Sequence, residues 1–198
     1  MPVGFDETNK VIWKPYQYFR NSKRYPAYNW SSSFETSLLS ILAPLFLKKY
    51  FEEPIWQDSL HEAIYWLIGS NDLDRGMESG VILAQSALEL LSFTYVVKEK
   101  KLLDKEGFKK LTASDKLRLF LRTLNIPIEI ENHHKKLKKK MKGQSKWSDL
   151  AHAITDIRNS FTHPENNSKG SLYDLSYETW KISLRLLELS ILARQSKT

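Results

Sequence analysis

The chain has 198 residues, 41% of them hydrophobic and 27% charged, a balance that fits one compact domain rather than a disordered or fibrous chain. It contains no cysteine, which excludes disulfide scaffolds, thiolate metal sites and cysteine nucleophiles and favours a reducing, cytoplasmic location. The net charge is +7, and Lys135, Lys136, Lys138, Lys139, Lys140 and Lys142 carry nearly all of it, so any attraction for an anionic partner belongs to one segment.

Few glycines and prolines, together with apolar residues recurring every three to four positions, predict an all-α fold: a bundle of about six helices with an antiparallel up-and-down core. Residues 1–54 read as an N-terminal arm and first helix packed on a helical domain spanning 55–198. The arm keeps neither a helical nor a strand period. Its Tyr16, Tyr18, Phe19, Tyr25 and Tyr28 stand among basic residues, where base stacking competes with packing. The first helix is expected from the capping pattern Ser32-Ser33-Phe34-Glu35 to about Phe51, with Phe34, Leu38, Ile41, Leu45 and Phe46 inward and a bend at Pro44. Its apolar run, Leu38 to Leu47, is closed by Lys48 and Lys49, short of the ~20 residues a bilayer requires. No membrane span and no secretory signal are expected.

A second helix opens with Pro54 in its first turn, carries Trp56, Leu60, Ile64 and Leu67, and should stop at Gly69. The third runs from about Asp74 to Lys100 with Val81, Ala84, Leu88, Leu91 and Tyr95 as its apolar stripe, while Glu78, Gln85 and Glu89 line up on another face. Thr112 caps a fourth helix with Leu117, Phe120, Leu121 and Leu124, ending before Pro127. The basic segment HHKKLKKKMKG follows and reads either as a solvated loop or as an RNA contact. A fifth helix covers about Ser148 to Thr162, with Leu150, Ile154, Ile157 and Phe161 inward. A sixth starts near Ser171 and is apolar on most sides through Leu172, Leu175, Trp180, Leu184, Leu187 and Ile191. It therefore requires neighbours inside the bundle or across a dimer interface.

There is no internal repeat, phosphate-binding glycine loop, His-Glu-x-x-His run or Gly-x-Ser-x-Gly elbow. His133, His134 and His152 lack a carboxylate at ligand spacing and read as surface residues, so no metal or other cofactor is called for. His61 reads as a packed or surface helix residue.

The chemistry concentrates at the end of the fifth helix, in Asp156-Ile157-Arg158-Asn159-Ser160-Phe161-Thr162-His163-Pro164. Asn159 and His163 stack on one face, away from Ile157 and Phe161. Arg158 and His163 are about 140° apart around an ideal helix and converge only if the last turn unwinds, which Pro164 favours by disfavouring α-geometry at His163. Guanidinium can fork onto phosphate oxygens, imidazole can move a proton near neutral pH, and the amide can orient either.

Arg158-Asn159-x-x-x-His163 resembles the signature of HEPN domains: an arginine, then Asn, Asp or His, and a histidine a few residues on, at the end of a late helix before a last long one. Residues 79–91, SGVILAQSALELL, look like the earlier HEPN helix whose acidic residue, here Glu89, faces the motif. With Trp56 to Trp66 upstream, the whole is similar to the C-terminal HEPN part of ApeA-like abortive-infection proteins, over about residues 55–195. The resemblance implies a metal-independent endoribonuclease of a prokaryotic defence or toxin system, a homodimer with a composite active site, under the control of a regulatory partner or domain. HEPN toxins silenced by tyrosine modification carry the tyrosine two residues past the histidine. Here Glu165 stands there, so that control is not expected.

On this reading His163 is the general acid or base, worth roughly 10²- to 10⁴-fold. Arg158 stabilises the phosphorane charge, Asn159 orients the imidazole or a phosphate oxygen, and Glu89 supports the site by holding Arg158. The lysine run binds RNA, and dependence on the 2′-OH spares DNA. Two alternatives stand beside it: a non-catalytic HEPN module that binds nucleic acid or a nucleotide, and a structural dimerisation domain or antitoxin-like partner.

Overall fold

The computed structural model describes residues 4–5, 11–13, 44, 46–48, 50–143, 146–163 and 174–193. The fold is all-α apart from one short strand pair. Strands β1 (Gly4–Phe5) and β2 (Val11–Trp13) run antiparallel with Gly4 opposite Trp13, a pair too short to display the alternating period that the arm lacks. Residues 44, 46–48 and 50–52 are helical, Pro44 included. The rest of the expected first helix, with Ser32, Phe34, Leu38, Ile41 and Leu45, and the arm aromatics from Tyr16 to Tyr28 lie outside the described residues.

Helix α1 (Pro54–Ser70) begins with proline at its first turn, as expected, where the missing N–H costs nothing. It runs one residue past Gly69 and ends without a left-handed residue. Helix α2 (Met77–Phe93) continues through a π-helical stretch, Thr94–Glu99. Val81, Ala84, Ala87, Leu88, Leu91, Tyr95 and Val96 are buried along it. The stretch Met77–Glu99 is long and apolar enough to span a bilayer, contrary to the sequence expectation, but 61% of its apolar window is buried inside the domain. Packing within the chain accounts for that composition.

Two further helices occur where the sequence predicts none. Helix α3 (Lys105–Lys110) is capped by Asp104, which accepts from the Gly107 N–H at 2.6 Å, and it buries Phe108 against Phe93. Helix α5 (Lys135–Gly143) is the lysine run itself. Between them, α4 (Ala113–Thr123) starts at Thr112, whose hydroxyl accepts from the Asp115 N–H at 3.1 Å. It closes with Asn125 at φ 59° and the bonds Asn125 N–H to Arg122 O and Ile126 N–H to Leu121 O, a Schellman ending with asparagine in the left-handed position. Ile126, Ile128 and Ile130 are then buried alternately with exposed Pro127, Glu129 and Glu131. The Ile128 carbonyl accepts from the Leu150 N–H at 2.8 Å, which sets the start of α6 (Leu150–Thr162).

Helix α7 (Ser176–Ala193) buries Trp180, Ile182, Leu184, Leu186, Leu187 and Ile191, all against its own chain. Leu175, just before it, is buried as well, Tyr177 is exposed, and Leu172 lies outside the described residues. Helices α1, α2, α6 and α7 alternate in direction. Trp56 at the start of α1 donates to Glu99 beyond the end of α2 at 2.9 Å, and Ser59 meets Thr94 at 2.7 Å. At the opposite end Phe161, near the close of α6, packs on a cluster of Val81, Trp180 and Leu184.

That cluster centres on a close approach. The Trp180 indole donates to the Ser70 carbonyl at 2.7 Å, and a Cβ on Gly80 would sit 2.6 Å from Trp180 Cδ1 and 2.7 Å from the same Ser70 oxygen. Helix propensity alone would make Gly80→Ala stabilising by about 1 kcal/mol. We expect the clash to reverse that sign, with a net loss of about 1–3 kcal/mol typical of overpacking, measured as a lower urea midpoint in equilibrium unfolding.

Candidate nucleic-acid site

Helix α6 is fixed at both ends before it presents any chemistry. At its start, Asp149 caps the His152 N–H at 2.9 Å and takes a two-pronged contact from Arg118, Nε to Oδ2 at 2.5 Å and Nη2 to Oδ1 at 3.1 Å. Arg118 also binds Asp115. The hydrogen bond to Asp149 raises the Arg118 guanidinium above its ordinary value, against the opposing effect of burial. Burial by itself would push the Asp149 carboxyl up, but the Arg118 hydrogen bond and the His152 N–H hold it below the usual carboxylate value. In the middle of the helix, the buried Gln85 amide of α2 donates to the Ile154 carbonyl at 2.5 Å and locks α6 to α2. Trp147 donates to Asp156 at 2.8 Å.

At the far end, Arg158 Nη1 donates to Asn159 Oδ1 at 3.2 Å. Both side chains are half-buried. The helix stops at Thr162, and His163 leaves it in extended geometry (φ −108°, ψ 114°), exposed, with its backbone N–H on the Asn159 carbonyl at 3.0 Å. The restriction that a following proline imposes accounts for that geometry. The structure therefore joins Arg158 to Asn159 and ties His163 to Asn159 through the backbone. Among the described residues no hydrogen bond links the imidazole to either side chain.

Glu89 stands elsewhere than expected. Its Oε1 pairs with Lys116 Nζ of α4 at 2.8 Å, and no carboxylate among the described residues pairs with Arg158. The expected Glu89–Arg158 pair is thus replaced by Glu89–Lys116. The residues still share a place: Glu89, Lys116, Thr155 and Arg158 line one cavity of about 30 Å³, closed by Gln85, Leu88, Ala113 and Leu117. Lys116 escaped the sequence reading because it lies on the flank of a short amphipathic helix. Only the packing of α4 against α2 and α6 brings it to the cavity that Arg158 also lines. Glu78, at the start of α2, does not line this cavity.

The lysine run forms the outer face of α5 rather than a loop. Leu137 is fully buried and Met141 partly so, while Lys135, Lys136, Lys139, Lys140 and Lys142 are exposed and Lys138 half-exposed, bonded to Asn132. Like charges four apart destabilise a helix, so this one depends on tertiary support. Glu178 of α7 supplies it by accepting from the Lys136 N–H at 3.2 Å and the Leu137 N–H at 2.9 Å, a carboxylate at the positive end of the helix. Glu178 and Trp180 stand in the opening turns of α7, so one short stretch anchors both the lysine helix and, through Phe161, the end of α6.

The remaining histidines differ in setting. His133 is exposed beside Glu131 at 3.2 Å, and burial, followed by the charge of His133, lowers the pKa of half-buried His134. His61 is exposed and His152 half-buried. Trp56, Tyr95, Trp147 and Trp180 are core residues.

Fold and site together define an all-helical domain with a small cation-lined cavity next to an Arg-Asn helix end. The chain belongs to the YopA C-terminal domain family, whose profile matches residues 53–194. No curated protein and no solved structure matches it.

Asp149 makes stability depend on acid pH. A depressed folded-state pKa contributes stability that is fully present above the ordinary aspartate value of about 3.9 and is lost as pH falls through the folded value. Asp149→Asn keeps a good helix cap but removes the charged pair, and we expect about 2 kcal/mol of lost stability at neutral pH. In urea unfolding across the acid range, the gap between wild type and variant should close below about pH 4.

Proposed function

We propose that this chain is a metal-independent endoribonuclease of the HEPN type, serving prokaryotic defence or toxicity and restrained by a regulatory partner or domain. The observation that carries this reading is the end of α6. Arg158 and Asn159 are hydrogen-bonded beside a cation-lined cavity, and His163 is released from the helix into solvent in extended geometry.

A cavity of about 30 Å³ can take a phosphate oxygen or a water but not a nucleoside, for which sites of ~300 Å³ or more are usual. The RNA then lies across the surface with one phosphate directed inward. A second copy of the chain supplies the opposite wall, which is the physical reason for a composite, homodimeric site. His163 takes the proton from a ribose 2′-OH, and the 2′-oxygen attacks the adjacent phosphorus. Arg158 meets the charge that develops on the non-bridging oxygens. The bond to the 5′-oxygen breaks as that oxygen gains a proton from a histidine acting as acid, leaving a 2′,3′-cyclic phosphate and a 5′-hydroxyl. With two copies, two imidazoles divide the base and acid roles. Asn159 holds the Arg158 guanidinium at the helix end. The lysine face of α5 adds sequence-independent affinity by releasing counterions from the RNA backbone.

In EDTA, the purified protein should cut a mixed-sequence RNA into fragments with 2′,3′-cyclic phosphate ends and leave the DNA counterpart intact. His163→Ala should lower the rate roughly 10²- to 10⁴-fold, and Arg158→Ala about 10²- to 10³-fold. Binding without cleavage, unchanged in His163→Ala, would replace this reading with that of a non-catalytic module. Changing Lys135, Lys136, Lys139 and Lys140 to Gln should weaken RNA binding and lower the slope of log affinity against log salt by about 0.7 for each phosphate of a single strand that is no longer neutralised. An unchanged slope would take the lysine helix out of the binding surface.

A further inference from the structure

We infer that the cavity between α2, α4 and α6 is a phosphoryl-anion subsite held by Lys116 and Arg158, and that Glu89 is the latch that occupies it in the free protein. Two cations and one carboxylate line the cavity, so it carries a net positive charge, and Ala113, also in its lining, is the first residue of α4, an eleven-residue helix whose dipole favours anions at that end.

The two members of the Glu89–Lys116 pair are held very differently. The Lys116 side chain is 17% exposed, its ammonium lies 5.2 Å over the Phe108 ring, and its carbonyl accepts from Ser92 Oγ at 3.1 Å. The Glu89 side chain is 48% exposed and can turn into water at little cost, because an exposed ion pair is weak. The cation is therefore fixed and the carboxylate movable. An incoming phosphoryl group can displace Glu89 and pair with Lys116 and with Arg158, which lines the same cavity and whose side-chain partner among the described residues is the neutral Asn159 amide. The Thr155 hydroxyl donates to the Ala151 carbonyl at 2.7 Å, so recognition is by charge rather than by a hydroxyl donor. Glu89 then competes with the ligand instead of holding Arg158.

The assignment of that phosphoryl to an RNA chain rests on the ribonuclease reading; the anion site does not. Inorganic phosphate, a nucleoside 5′-monophosphate and a dinucleoside with one internal phosphodiester would be titrated into ¹⁵N-labelled wild type, Glu89→Gln, Lys116→Met and Arg158→Ala. Glu89→Gln should bind phosphate about two- to fivefold more tightly, the scale of an exposed ion pair removed. Lys116→Met and Arg158→Ala should bind it about tenfold more weakly, the scale of one charge-assisted hydrogen bond. Lys116→Gln, which keeps the stem and a donor, replaces Lys116→Met if circular dichroism shows a changed fold. A Glu89→Gln affinity equal to or below wild type, or phosphate binding indifferent to Lys116, would overturn the proposal. Tighter binding of the diester would assign the site to an internal RNA phosphate, and of the monoester to a terminal phosphate, each supporting the anion site. The expected affinity pattern in a protein that cuts no RNA would retain the anion site and reject the ribonuclease. RNA cleavage with phosphate binding unaffected by Lys116→Met would do the reverse.

Discussion

The contact on which the bundle depends is the meeting of Trp180 with the bare backbone of Gly80. A large indole lies where a single added Cβ would collide, and its N–H closes the orphan carbonyl of Ser70 at the end of α1. One side chain thus sets the approach of α1, α2 and α7 and satisfies a helix end that would otherwise be buried without a partner. The consequence reaches α6, because Phe161 packs on the same cluster of Val81, Trp180 and Leu184, two residues before the helix gives way to His163. The chemistry-bearing end of the helix is positioned from the apolar interior.

Carboxylates organise the surface in a complementary way. Asp149 caps α6 and grips Arg118, Glu178 caps α5 so that six lysines can stand on one short helix, and Glu89 holds Lys116 beside the cavity. The first two fix one element on another, whereas Glu89 is the exposed and movable member of its pair with Lys116. What these arrangements leave for a ligand is the outer face of α5 and the guanidinium of Arg158, positive groups at two places that the opening turns of α7 connect. Under the proposed function a polyanion would meet these groups without reorganising the core, because Glu89, which would respond to it, is an exposed side chain.

Much of the fold was legible because local signals agreed with the global answer. Pro54 and Thr112 marked helix starts, and Val81, Ala84, Leu88, Leu91 and Tyr95 were buried at the period the sequence showed. Pro164 foretold that His163 would leave the helix extended. Where sequence and structure differ, the causes are physical. Six residues with one aromatic, Lys105–Lys110, carry too little periodicity to be read as a helix. The lysine run repels itself locally and becomes helical only because Leu137 and Glu178 hold it. Met77–Glu99 has the length and apolar content of a membrane span, and it is burial against neighbouring helices that makes it a core element.

At the level of the site, the sequence by itself determined the Arg158-Asn159-x-x-x-His163 spacing, the helix that carries it and the proline that ends it, because these are properties of neighbouring residues. Tertiary structure alone decided the partner of Glu89. Residues 27 apart in the chain meet in the Glu89–Lys116 pair at 2.8 Å, and only the packing of α4 between α2 and α6 brings Lys116 rather than Arg158 within reach. Electrostatic pairing acts over a few ångströms whatever the distance along the chain, so no pattern of local spacing could have chosen between the two cations.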